Sequence, residues 1–159
     1  MEGANAMPLP EAILVPIAHS EASLEAVTIA ATMAKQKKAR FYLVHVIEVN
    51  RSLPLNAELE ADARRGEQLI RRAEEVAAAA GYPVSGTLLQ AREAGQAIID
   101  EALDNAVDTI IMGISNSDAA GVASAVRLGR TVEHVMKHAT CAVWVVRQSM
   151  VPKAGPHHE

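Results

Sequence analysis

The chain has 159 residues, half of them hydrophobic but only 3% aromatic, and a formal net charge of −4. That length suits one domain able to bury roughly 70% of the surface its unfolded form exposes, with a core drawn from Ala, Val, Ile and Leu. Interspersed acids and bases with few stacking residues exclude a nucleic-acid or anionic-membrane surface, and the single cysteine, Cys141, excludes an internal disulfide or a zinc cluster.

Residues 1–10 have little apolar periodicity, two prolines and a glycine, and read as a flexible tail. Ala12-Ile13-Leu14-Val15-Pro16-Ile17 is the first strand, closed by a proline that has no N–H for a central ladder. Ser20 caps a helix whose Leu24, Val27, Ala31 and Ala34 share one face, with Glu21 in the favourable first turn. Phe41 to Ile47 is the second strand, and the Pro54-containing stretch from Asn50 to Asn56 is a loop.

The longest helix follows. Its buried stripe is Leu59, Ala63, Leu69, Ile70, Ala73, Val76 and Ala77, and Glu67 and Arg71 stand at the stabilising i, i+4 spacing. Arg64, Arg65, Arg71 and Arg72 alternate with acids, which marks a solvated face rather than an RNA-binding patch. Gly81 and Pro83 stop the helix. Val84 to Leu89 is a shorter, less apolar strand suited to an edge, and Gly95 to Leu103 is the helix that returns to a fourth strand at Val107. That strand ends on Gly113, where a missing side chain lets a ligand approach the backbone. A small-residue loop then leads to Gly129-Arg130-Thr131 at the mouth of a helix, whose free N–H groups and dipole attract an anion. Ala142 to Val146 is the last strand, and residues 149–159 read as a second flexible tail.

Strands alternating with helices predict an α/β domain over residues 11–148, an open five-stranded parallel sheet with helices on both faces. Right-handed crossovers place the strands in the order 3-2-1-4-5, so a ligand crevice opens beyond the carboxyl ends of strands one and four. As an uncharged edge, Ala142, Val143, Trp144, Val145 and Val146 invite antiparallel pairing with a second copy about a twofold axis. With no signal peptide and no run of about 18 apolar residues, the expectation is a cytoplasmic protein without direct membrane insertion.

Ile13-Leu14-Val15-Pro16, Leu43-Val44-His45-Val46, Thr109-Ile110-Ile111-Met112-Gly113, the run from Leu128 to Val135 and the ending from His138 to Arg147 together resemble the universal stress protein family. The resemblance implies a Rossmann-like sheet of the adenine nucleotide alpha hydrolase type. It also implies a homodimer that binds ATP or AMP, with or without magnesium, and acts in stress responses. Carried over to this chain, Pro16, Ile17, Ala18 and Val46 flank the adenine and ribose, Met112 and Gly113 lie beneath them, and Gly129, Arg130 and Thr131 hold the phosphates. The family's Gly-x2-Gly-x9-Gly-Ser/Thr loop is altered. Asn116 replaces the second glycine, three more residues precede Gly129, Arg130 replaces the small hydroxyl residue, and Ala18 stands where an aspartate is usual.

Other chemistry is less well served. Neither Gly-x4-Gly-Lys-Ser/Thr nor Gly-x-Gly-x2-Gly occurs, and no catalytic residue or metal site is assigned. His134 and His138 have helical metal-ligand spacing without a third ligand, and Cys141 reads as a small buried thiol. The expected function is an adenine-nucleotide-dependent regulatory protein that is not an enzyme beyond slow hydrolysis. The alternative is a dimerisation and interaction module that regulates a transporter or kinase, holding no nucleotide or another adenylated ligand such as a cyclic dinucleotide. An adenylate-forming enzyme is the third reading.

Overall fold

The computed structural model describes residues 8–114 and 129–148. The expectations for residues 1–7, for Asn116 and its loop, and for the tail from residue 149 lie outside them. Along the chain run β1 (Ala12–Pro16), α1 (Glu21–Lys37), β2 (Arg40–Glu48), α2 (Glu60–Ala79), β3 (Gly86–Ala91), α3 (Ala94–Asp104), β4 (Thr109–Ile114), α4 (Arg130–His138) and β5 (Ala142–Arg147). The strands form one sheet in the order β3-β2-β1-β4-β5, with every neighbouring pair parallel.

Two cores follow from the period-2 alternation of strand side chains. On one face Ile13, Val15, Phe41, Leu43 and Ile111 meet α1 and α2 through Val27, Ala30, Ala34, Ala73 and Ala77. On the other, Leu14, Val44, Ile110 and Met112 meet Ile98, Ile99 and Ala102 of α3 and Val132 and Val135 of α4. The alanine face of α1 brings its backbone close to the sheet, and Ser20 starts the helix by accepting the Ser23 N–H at 3.2 Å.

Several local expectations need correction. The fully buried positions of α2 are Gly66, Ile70, Ala73 and Ala77, whereas Leu59, Ala63, Leu69 and Val76 are half-buried. Ion pairs given by α2 join Arg65 to Asp62 and Arg72 to Glu21, in place of a Glu67–Arg71 pair. The third strand starts at Gly86 rather than Val84, because β2 pairs with it from Leu43↔Gly86 onward and Ile70 of α2 presses against that glycine. β4 does not end on Gly113 but continues to Ile114, since β5 pairs with it through Ile114↔Arg147.

The β1–β4 contact shapes the rest. Asp108 accepts the Glu11 and Ala12 N–H groups at 2.8 and 3.3 Å, and its own N–H bonds to the Ala12 carbonyl at 3.0 Å. Register pairing then runs only through Ile13↔Thr109 and Leu14↔Ile110, while β1 and β2 pair from Ala12↔Arg40 to Pro16↔Val44. Further along, the first turn of α1 lies against β4, and a Cβ on Gly113 would stand 2.3 Å from the Ala22 carbonyl carbon. Backbone cannot retreat as a side-chain tip can. Gly113→Ala should therefore lower the unfolding free energy by about 1–3 kcal/mol through overpacking, measured by urea denaturation; an unchanged midpoint would show that the α1 turn moves freely.

Candidate functional site

The crevice beyond the strand ends holds a cavity of about 220 Å³. β1 and its loop contribute Pro16, Ile17 and Ala18, β2 contributes His45, Val46 and Glu48, and β4 contributes Met112 and Gly113. The starts of α3 and α4 close it with Ala94, Ile98, Thr131 and Val132. Its walls are thus mostly apolar with a few polar groups, the composition that suits the flat ring of a small molecule.

The loop at the end of β1 is tied down by its own backbone. The Ile17 N–H donates to Val44 O at 2.7 Å, the Ala18 N–H to Ser23 Oγ at 3.0 Å, and the Ser20 N–H to Ala18 O at 2.8 Å. His45 Nδ1 lies 2.7 Å from the Ile17 carbonyl, which only accepts, so this nitrogen carries a proton and fixes the ring. Ser23 is buried, and its Oγ also bonds Ser20 Oγ at 3.3 Å.

A second cavity of about 270 Å³ adjoins the first, sharing Glu48, Ala94 and Thr131. Its walls carry Arg51, Arg92 and Arg130 together with Glu93, Gly95 and His134. Arg130 pairs with Glu48 at 3.3 Å, and Arg51 with Glu93 at 3.7 Å. Arg92 Nη1 donates to the Asn50 and Leu53 carbonyls, each at 2.7 Å, and so pins the loop between β2 and α2. Glu48 also accepts the Ala94 N–H at 3.4 Å, at the start of α3.

Topology brings Pro16, Ile17, Ala18, Val46, Met112, Gly113 and Thr131 into the first cavity, and Arg130 joins Thr131 in the second. Gly129 lines neither of these two. It is the residue before α4, its carbonyl accepts the Glu133 N–H at 3.0 Å, and a Cβ there would meet none of the other described residues within 4 Å. Gly113 lines the first cavity, but its missing Cβ accommodates the α1 backbone rather than a ligand. Sequence reasoning did not assign Ser23, His45, Glu48, Ala94, Ile98 or Val132 to the first cavity, nor Arg51, Arg92, Glu93, Gly95 or His134 to the second. Only Glu48, two residues beyond Val46 on the same strand face, carried a signal that period-2 reading would find.

His134 bonds Gln96 Oε1 at 3.2 Å through Nε2 and lies beside His138, with ring centroids 4.5 Å apart and the rings tilted by 43°. Among the described residues no group of three or more His, Cys, Asp or Glu side chains could hold a metal. Cys141 is half-buried, and desolvation pushes its thiol above the usual range. No helix among the described residues is long and apolar enough to cross a membrane.

A doubly wound five-stranded parallel α/β sheet with a crevice at its switch point defines the class of fold. Within that class, the profile described as the universal stress protein family matches residues 11–147, and the chain belongs to this family. A universal stress protein of Methanocaldococcus jannaschii is 28% identical over 142 residues, which cover 86% of this chain and 81% of the relative. Among solved structures, the universal stress protein from Archaeoglobus fulgidus in complex with dAMP superposes with a TM-score of 0.68 at 18% identity, covering 87% of this chain and 99% of that one. A universal stress protein in complex with cAMP gives a TM-score of 0.67 at 20% identity, covering 89% of this chain and 100% of that one.

The space around Gly129, free of other described residues, carries a prediction. Gly129→Val should leave stability within about 0.5 kcal/mol of the parent, as read by thermal and urea unfolding; a larger loss would mean that the start of α4 is packed more tightly than its surroundings indicate.

Proposed function

We propose that the chain binds an adenine nucleotide, ATP or AMP, in the cleft between β1 and β4, and that it acts as a nucleotide-dependent regulatory protein in stress responses. The observation that carries this reading is the junction of the two cavities at Thr131, which sets an apolar slot for a base beside an arginine-lined space for phosphate. The dAMP and cAMP complexes of structurally similar universal stress proteins support the choice of adenine. Binding and release, rather than turnover, is the proposed activity. A magnesium ion would enter on the phosphates, because Glu48 and Glu93, the carboxylates beside them, are already paired with arginines.

Calorimetry tests the site from two sides. Gly129→Val should weaken ATP binding by crowding the phosphate at the helix start, and Arg130→Ala should weaken ATP more than adenosine, since only ATP carries the charge that the guanidinium meets. A folded protein that gives no heat with ATP, ADP or AMP at millimolar concentration overturns the nucleotide reading. The Glu48–Arg130 pair favours the second reading in that event, an interaction module whose cleft is satisfied by its own charges.

The functional unit we propose is a cytoplasmic homodimer joined through β5. Among the described residues no strand lies beyond β5, and Val143, Trp144, Val145 and Val146 are only half-buried there. Antiparallel pairing about a twofold axis would cover both edges. Val145→Lys brings like charges near each other across such an interface, so it should shift a dimer toward monomer in light scattering. A parent chain that is monomeric at micromolar concentration rules the dimer out.

A further inference from the structure

A groove of about 410 Å³ opens at the end of the sheet opposite the cleft, beside the first residues of β4 and β5. Pro8, Leu9, Pro10 and Trp144, the chain's single tryptophan, make its walls mostly apolar. Glu11 and Asp108 add two carboxylates, and no Lys or Arg lines it. Ala142, the first residue of β5, also borders the groove, and Trp144 follows it on the same strand face. The groove therefore runs into the edge on which the proposed dimer pairs. Beyond β5 the sequence continues as Gln148-Ser149-Met150-Val151-Pro152-Lys153, which carries three apolar residues, one cation and no acid.

We propose that in the dimer Met150 to Lys153 of each copy occupy this groove on the other copy. The proposal rests on the β5 pairing proposed above and adds a second contact to it. With a twofold axis at the middle of β5, antiparallel pairing sets Arg147 of one copy opposite Ala142 of the other. The following residues then run past the start of the second copy's strand, and each moves about 3.3 Å further toward its Pro8–Pro10 wall. Pro152 has no N–H for a ladder, so strand pairing ends there and the chain is released into the groove. Met150 and Val151 meet apolar walls, and Lys153 is carried to the side that holds Glu11 and Asp108. The same chain cannot fill the Ala142 end of its own groove with these two apolar residues. Ala142 lies about 17 Å behind Arg147 along the strand, whereas Val151 extends at most about 14 Å from Arg147.

Two measurements on the full chain test this contact. In a Cys141→Ser background, Leu9→Cys and Val151→Cys are prepared as separate proteins, mixed to exchange subunits and treated with a short bismaleimide. Each copy then holds one thiol, so a covalent pair containing one of each variant reports a contact between copies, and it should form in excess over either variant linked to itself. Independently, Met150→Asp should raise the dimer dissociation constant about tenfold, the scale of losing one partly buried apolar side chain. At concentrations where light scattering still reports a dimer, it should also move Trp144 emission to longer wavelength, with an unchanged thermal midpoint showing that the variant folds. A dimer that gives no mixed covalent pair and keeps its emission in Met150→Asp overturns the groove contact and spares the β5 pairing. Emission that moves on deletion of residues 1–7 but not in Met150→Asp assigns the groove to the chain's own N-terminal segment and overturns the proposal. A parent chain that is monomeric at micromolar concentration overturns both.

Discussion

Asp108 joins β1 and β4 at one end and lets them part at the other. Its carboxylate takes two N–H groups from the entrance of β1, and its own N–H reaches back to Ala12. Past Leu14 and Ile110 the register pairing stops, while the first turn of α1 comes down on Gly113. A crevice at the carboxyl ends is the geometric result. It lies at the switch point because β1 connects to β2 on one side and β4 to β5 on the other. Any side chain at position 113 would push α1 away from the sheet and disturb both the alanine-rich core and the cleft floor.

Charge is sorted by distance from the sheet. Strand ends supply the apolar walls, since Pro16, Val46 and Met112 continue the core outward, whereas Arg51 lies three residues past β2, Arg92 one residue past β3 and Arg130 at the first position of α4. The sorting has a physical basis, because a guanidinium in the strand interior would have to be desolvated without a partner. On the turns it keeps water on one side and a carboxylate or carbonyl on the other. α3 and α4, which pack on the same core, bring their starts to the boundary between the two regions. Thr131 and Ala94 therefore belong to both cavities.

Much of this was legible in the residues. Apolar runs separated by amphipathic helices predict every strand, and crossover handedness turns their sequence into the order 3-2-1-4-5. The same topology brings Pro16 to Ala18 next to Met112 and Gly113 without any motif. Edges were less legible: β3 begins at Gly86, a residue with no strand propensity of its own, because Ile70 needs room there. Gly113 was found for the wrong reason. Flexibility and ligand approach are general properties of glycine, while contact with the α1 backbone is a tertiary fact that no local pattern encodes. Arg51, Arg92 and Glu48 escaped for a similar reason. Each is an ordinary charged loop or strand-end residue until the fold sets three connections side by side.

Arg130 illustrates why a weak interaction suits this position. A buried, fully hydrogen-bonded pair would hold Arg130 on Glu48 too firmly for exchange, since removing one partner from such a pair costs about 3–5 kcal/mol. The observed pair is exposed on the arginine side and partly shielded on the glutamate side, with relative side-chain areas of 88% and 39%. Water therefore stabilises the guanidinium during a change of partner, and the carboxylate retains the Ala94 N–H as a second hold. Under the proposed nucleotide reading, a ligand's contacts would have little to overcome in taking Arg130 from Glu48. The proposed nucleotide-dependent role would need that balance more than affinity, because a site that never exchanges partners reports nothing about ligand concentration.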